Sequence, residues 1–333
     1  MIVSRPSAGS PRSGSRRSLG RGFSELGGKP LEEYLDGQRG SVSAAGTGEI
    51  PAERAPRSLG AIALASGKGG TGKSTVAANL ATLMGRAGLE VLLVDADFGL
   101  ANLHLLLGQQ PKTSLARVLL GGVDPEDLAL QGPPGVRLVP GCSGIERMAN
   151  LEDHQICALA RTLAEIEGGS DVVLLDTAAG LSRQTLAMLR VCSRILLIST
   201  PDVAAMTDAY ALLKLMTRYE PSLPVGLVVN RARSRPEADL VTARLTSMTE
   251  RFLGRTLDPF GWIPEDPSLG RWAADGRPVV LADPGSAASH GLRALADRLL
   301  DHPAGTSRRA PAGGAKYFDR LSEMLTPPPT RMI

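Results

Sequence analysis

Aromatic residues are scarce in this chain of 333 residues, with five Phe, four Tyr and two Trp. Platforms that stack the bases of single-stranded nucleic acid need such rings, so that class of function is disfavoured. Long apolar runs are missing too; none approaches the ~18 residues needed to cross a bilayer. The three cysteines, Cys142, Cys157 and Cys192, are odd in number and widely spaced. That pattern excludes a disulfide framework and a C-x-x-C metal pair, and it suits a reducing, cytoplasmic compartment. Nor does one sign of charge prevail: 37 Lys and Arg stand against 34 Asp and Glu, a formal net charge of +3. The balance is uneven along the chain. Residues 59–302 hold 23 basic and 26 acidic residues, whereas 1–58 hold nine and six, and 303–333 five and two. A mildly acidic centre argues against direct DNA binding by the core, so any anionic surface is expected to meet the basic ends.

Hydrophobic residues make up 43% of the chain, ample for a buried core. Residues 1–58 are rich in Ser, Gly, Arg and Pro and read as a disordered basic arm, in which 30–35 could supply one helical turn for a partner. From Leu59 the pattern changes. AIALA, VLLVD, VRLV, DVVLLD, RILLIS and VGLVVN are short runs of Val, Ile, Leu and Ala without polar alternation, as in strands buried on both faces. Stretches of helical length, 73–86, 152–167, 182–191 and 203–218, lie between most of them. Alternating strand and helix predicts an α/β doubly wound, mostly parallel sheet with helices on both faces, in one domain over 59–302. Residues 303–315 read as a flexible linker, 316–325 as a short amphipathic helix, and 326–333 as a disordered tail.

The strongest motif runs from Gly67 through Lys68, Gly69, Gly70, Thr71, Gly72 and Lys73 to Ser74, with Thr75 next. It satisfies G-x-x-x-x-G-K-[ST] between a strand and a helix, the setting in which glycine backbone amides and a helix N-terminus cradle phosphates. Lys73 is expected to reach the terminal phosphates and Ser74 to ligate Mg²⁺. Lys68 is a second lysine that the motif does not require. It is poorly placed to curl back onto its own loop but could reach a phosphate held by a second copy; otherwise it is a solvated surface residue. Asp95 and Asp97, two residues apart at the end of VLLVD, share one side of extended chain, and Asp176 ends DVVLLD. Ligands of open α/β sheets bind beyond such strand ends. These acids are therefore candidates for holding Mg²⁺ and orienting water, with helix capping or solvation as the alternative. No N-K-x-D guanine reader occurs. VGLVVN ends instead in Asn230, which can address an adenine edge, so ATP is the favoured nucleotide.

SGKGGTGKST followed by VDADFGLANL resembles the MinD/ParA class of P-loop ATPases with a deviant Walker A motif. LVPGCSGIERMANL, LLDTAAGLS, TDAYALLKLM and GWIPED resemble its flagellar-number regulators, the FlhG/FleN branch. The resemblance spans about 59–300. It implies an ATP-dependent homodimer in which Lys68 reaches the partner subunit's nucleotide. It further implies that Asp97 positions the hydrolytic water, that Asp95 and Asp176 support Mg²⁺, and that Asn230 with the backbone from Pro264 to Asp266 holds adenine. His104 stands where the branch usually has an acid, and residues 1–58 lack the D-Q-A-x-x-L-R activator segment. The implied function is slow ATP hydrolysis that switches a regulator of flagellar number or placement. Implied partners are an FlhF-type GTPase and a flagellar switch protein or transcriptional regulator, the latter two met by a stripe of Tyr210, Lys214 and Arg218, for which plain solvation is the alternative. A positioning or DNA-partition ATPase outside the flagellar system is the alternative.

At 100° per residue, Tyr317, Phe318, Leu321, Met324 and Leu325 share one arc of about 120°. Ten residues make a helix too short to hold alone in water, so it should fold on contact. The resemblance implies reversible attachment to membrane lipid at the inner face of the cell membrane. Docking onto the chain's own core and disorder are the alternatives.

Overall fold

The computed structural model describes residues 59–301 and 316–326, apart from 122, 123, 146, 147 and 149. The expected arm (1–58) and linker (303–315), and all but the first residue of the expected tail, lie outside the described residues. The strands are β1 (Gly60–Ala65), β2 (Val91–Ala96), β3 (Leu130–Gln131), β4 (Val136–Val139), β5 (Val172–Thr177), β6 (Arg194–Ser199), β7 (Val225–Ala232) and β8 (Asp258–Pro264). They form one sheet in the order β3-β4-β2-β5-β1-β6-β7-β8. Every pairing is parallel except the short antiparallel contact of β3 with β4. This is the doubly wound α/β sheet that the sequence predicts.

The described helices are α1 (Lys73–Arg86), α2 (Leu103–Leu106), α3 (Leu115–Leu120), α4 (Pro125–Leu128), α5 (Asp153–Glu167), α6 (Arg183–Val191), α7 (Val203–Tyr219), α8 (Arg235–Leu253), α9 (Ser268–Ala274), α10 (Val279–Ala282), α11 (Ala287–Asp301) and α12 (Tyr317–Leu325). Side chains alternate across the sheet, so each central strand feeds two cores. In β1, Ile62 and Leu64 join Leu80 and Met84 of α1 and Leu292 and Leu299 of α11. Ala61, Ala63 and Ala65 face the opposite layer, built from α5 to α8 by residues such as Leu163, Met188, Leu212 and Leu245. Burial on both faces is why these strands read as unbroken apolar runs.

Both sheet edges are blunted. β3 is two residues long. β8 carries Pro259 and Pro264, which have no N–H to offer, and Arg298 of α11 donates to the Pro259 carbonyl (2.7 Å) and the Phe260 carbonyl (3.2 Å).

The short C-terminal helix α12 lies on α5 and α6, with Tyr317, Phe318 and Leu321 buried. Glu167, the last residue of α5, accepts the Tyr317 N–H (2.8 Å) and the Phe318 N–H (3.1 Å), so a distant carboxylate caps the helix start. Lys316 donates to the Ala164 carbonyl, and the Tyr317 hydroxyl donates to the Met188 carbonyl, each at 2.8 Å. Of the alternatives for this segment, the structure shows docking on the core. Its apolar arc is spent on that seat, so this conformation presents no such stripe to lipid. The expected stripe on α7 also changes: Lys214 and Arg218 are exposed, but Tyr210 is half-buried against the core.

Candidate nucleotide site

Residues 67–74 link β1 to α1 at the C-terminal edge of the sheet. Gly70 and Gly72 take left-handed φ values of 77° and 87°, which glycine adopts without strain. A side chain at Gly72 would also strike the Asn230 amide, 2.3 Å from the position of a Cβ. At Gly69 and Gly70 a Cβ would meet nothing within 4 Å, so the outer side of the loop is open to a ligand. No side chain caps α1, and its first intrahelical bond runs from Val76 N to the Gly72 carbonyl. The amides of Lys73, Ser74 and Thr75 thus face the loop ahead of that bond, as an anion site requires. The Thr75 side chain borders a small gap with Asn79 and Pro278 instead.

Behind the loop, buried Lys73 donates to Asp176 Oδ1 at 3.2 Å, and the Ser74 side chain lies beside the same carboxylate. Burial pushes the Asp176 carboxyl up, and Lys73 opposes that shift. Asp176 Oδ2 is buried with no partner. Asp95 sits directly across from Asp176 in the β2–β5 ladder. Burial first, then the facing Asp176, pushes Asp95 up to about 7.

Asp95 departs from the expected metal role. Its Oδ2 accepts the amides of Asn102 (2.9 Å) and Leu103 (3.0 Å), and its Oδ1 accepts that of Asp97 (3.2 Å). Both oxygens hold the loop after β2, which leaves Asp176 with the free buried oxygen suited to Mg²⁺. Asp97 Oδ1 accepts the Gly99 and Leu100 amides, while its second oxygen has no such bond. The site therefore gathers Lys73, Ser74, Asp97 and Asp176, with Asp95 as the tether that positions Asp97.

In front of the loop lies a cavity of about 560 Å³, lined by Lys68 to Thr71, Thr200 to Asp202, Ala205, Arg231, Arg233, Glu237 and Glu265. Lys68 pairs there with Asp202 of its own chain at 2.7 Å. Asn230 is buried, and its Nδ2 donates to the Thr71 carbonyl at 2.7 Å. The amide thus braces the loop, and only Oδ1, buried and unpartnered, remains to accept a hydrogen from a base. The adenine contact expected of the 264–266 stretch is through its backbone, and two of its side chains are engaged elsewhere. The Pro264 side chain lines a groove between α8, β8 and α11. Asp266 is committed to the amides of Ser268 (2.9 Å) and Ala288 (3.0 Å), because it anchors the starts of α9 and α11. Glu265 between them reaches the cavity. Sequence reasoning missed Asp202, Arg231, Arg233 and Glu237. Their one signal is position, in the last residues of β7, just past the ends of β6 and β7, or in the first turn of α8.

The residues present fit a Mg²⁺-bound nucleotide. Thr71 Oγ1, Asp176 Oδ2 and Asn230 Oδ1 are buried without partners, at points where phosphate, metal and base would lie. Among the described residues no helix is long and apolar enough to cross a membrane.

Residues 62–279 match the family described as the CobQ/CobB/MinD/ParA nucleotide binding domain. The antiactivator FleN of Pseudomonas aeruginosa is 37% identical over 257 residues, covering 77% of this chain and 91% of FleN. The flagellum site-determining protein YlxH of Helicobacter pylori is 29% identical over 268 residues, covering 79% of this chain and 90% of YlxH. Among solved structures, the septum site-determining protein MinD of Pyrococcus horikoshii, in complex with Mg-ADP, superposes with a TM-score of 0.60 at 29% identity. That match covers 74% of this chain and 98% of MinD.

Proposed function

The chain belongs to the CobQ/CobB/MinD/ParA family and is an ATPase of that family, and from this membership we propose that it works as an ATP-dependent dimerisation switch regulating flagellar number or placement. The observation that carries the dimer is the arrangement of exposed apolar residues around the loop. Leu100 (75% exposed), Ile145, Leu181 and Val203 (69%) follow the C-terminal ends of β2, β4, β5 and β6, neighbours around β1. A water-exposed apolar rim around a nucleotide cavity is a surface for another protein, and Lys68 stands on the same face. A second copy supplies a matching face and takes Lys68 from Asp202 to the nucleotide across the interface. ATP favours that state through contacts to the γ-phosphate that ADP cannot make.

In the chemical step, the loop amides and Lys73 hold the phosphates, and Ser74 with Asp176 hold Mg²⁺, which neutralises phosphate charge when bound. The free oxygen of Asp97 orients water toward the γ-phosphate, while the Asp95 tether fixes the backbone that carries it. The flagellar role rests on the FleN and YlxH relatives. The chemistry that follows from that role is contact with an FlhF-type GTPase, a flagellar switch protein or a transcriptional regulator. Reversible attachment to the inner face of the membrane requires α12 to leave its seat and turn its apolar arc outward.

Static light scattering of the parent and Lys68→Ala, with Mg²⁺ and either ATP or ADP, tests the switch. The parent should dimerise in ATP alone, and the variant should bind ATP yet remain monomeric. Equal dimerisation by the variant would sink the cross-subunit role.

A further inference from the structure

Arg231 is in an unfavourable backbone conformation. Among the described residues it is the one non-glycine in the left-handed region, with φ at 57°. The ladder between β7 and β8 skips it: Asn230 pairs with Ile263 and Ala232 with Pro264, so Arg231 is the extra residue of a bulge. Glycine or asparagine would adopt this backbone more easily than an arginine. The side chain is exposed, and among the described residues no hydrogen bond or ion pair engages it. The other two cations of the cavity are neutralised, Lys68 by Asp202 (2.7 Å) and Arg233 by Glu237 (2.6 Å). Strain at a bulge beside a binding cavity, with an uncompensated charge, marks a residue held for its ligand.

The location narrows which part of the ligand that is. The glycine loop takes the phosphates. Asn230, the residue before Arg231, braces that loop and offers Oδ1 to a base edge. The bulge aims the next side chain into the same cavity, beyond that edge. A guanidinium is planar and always charged, so it can lie flat on an aromatic ring, and a purine offers a larger face than a pyrimidine. We propose that Arg231 covers the face of the bound purine and thereby makes the site prefer purine over pyrimidine nucleoside triphosphates. This rests on the nucleotide-binding reading above.

Calorimetric titration of ATP and of CTP, each with Mg²⁺, into the parent, Arg231→Gly and Arg231→Lys tests the assignment, with thermal melting of each unliganded chain. The parent should prefer ATP. Arg231→Gly should bind ATP about tenfold more weakly and CTP almost as the parent does, so the preference collapses. Its unliganded Tm should not fall, because glycine accepts the bulge. Arg231→Lys, which keeps the charge without the plane, should lose most of the preference. Should the glycine variant melt lower, Arg231→Asn, which also tolerates this backbone, takes its place. ATP affinity within twofold of the parent, or an equal loss for ATP and CTP, would overturn the assignment. A parent that binds neither nucleotide would overturn the nucleotide reading as well.

Discussion

Phe318→Ala distinguishes a releasable α12 from an integral part of the core. Phe318 is fully buried beneath α12, and its ring meets that of Tyr317 edge-on at 4.7 Å between centroids. In a rigid core, truncating such a side chain costs about 3–5 kcal/mol. That cost assumes the rest of the structure must stay and surround the cavity. Here the seat holds a nine-residue helix, anchored mainly by Tyr317, Phe318 and Leu321. Burial of each such side chain contributes about 1.5–3 kcal/mol, and ordering each residue costs about 1–2 kcal/mol, so the net docking energy is much smaller than the contact sum. A chain that can let the helix go loses no more than that net docking energy. The variant should therefore release α12 and leave the sheet intact. Hydrogen exchange followed by mass spectrometry should show loss of protection across 317–325 and at the α5 and α6 surfaces beneath, while β1, β2 and β5 exchange as in the parent. Liposome sedimentation should rise, because the remaining arc of Tyr317, Leu321, Met324 and Leu325 is freed. A uniform loss of protection throughout the sheet, with 317–325 no faster than the rest, would refute the releasable seat.

Three further outcomes follow. Asp97→Ala should retain ATP and Mg²⁺ but stop hydrolysis, accumulating dimer; normal phosphate release would remove Asp97 from the chemistry. Asp95→Asn keeps an acceptor for Asn102 and Leu103 but turns an NH₂ toward the Asp97 amide, so hydrolysis should slow about tenfold with Mg²⁺ affinity unchanged. Weaker Mg²⁺ binding at normal turnover would make Asp95 a metal ligand after all. Burial raises the Glu167 carboxyl above the ordinary glutamate value of about 4.3, against the pull of the Phe318 and Tyr317 amides and Lys316, with Asp319 adding to the rise. A raised acid favours the docked form while protonated, so α12 protection, corrected for intrinsic exchange, should weaken as pH climbs from about 4.5 through the raised value. Glu167→Gln should flatten that dependence; strengthening over the same interval would reverse the sign and refute the argument.

The parts legible in the sequence were those whose physics is local. Six strands announced themselves as apolar runs because helices bury them on both faces, and α1 begins at Lys73 because the glycine loop ends there. β8 gave no such signal: Pro259, Gly261 and Pro264 interrupt its run, as suits an edge strand. α8 was hidden by an Arg-Pro start and by Leu240, Met248 and Phe252 on its exposed side, which blur its amphipathic period. The site contacts that went unread are long-range. Lys68 and Asp202 lie 134 residues apart, and Glu167 meets Tyr317 across 150. Asn230 looked like a base reader because its side chain suits one; only the approach of Gly72 shows that it is also a brace. Asp95 and Asp97 share a spacing from which sequence cannot tell which acid tethers the loop with both oxygens and which keeps one free, since that depends on how the following loop folds back.

The blunted sheet edges bear on how copies of this chain can accumulate. A long parallel sheet with an open rim invites copies to add strand to strand without limit. Two residues at one end, and proline with arginine-occupied carbonyls at the other, deny that growth a template. In the proposed dimer, association falls to the nucleotide face, and a pair meeting there would cover that face on both copies. On that proposal the assembly would stop at two and come apart when the phosphate is lost, so the number of active pairs would follow nucleotide turnover rather than the history of aggregation.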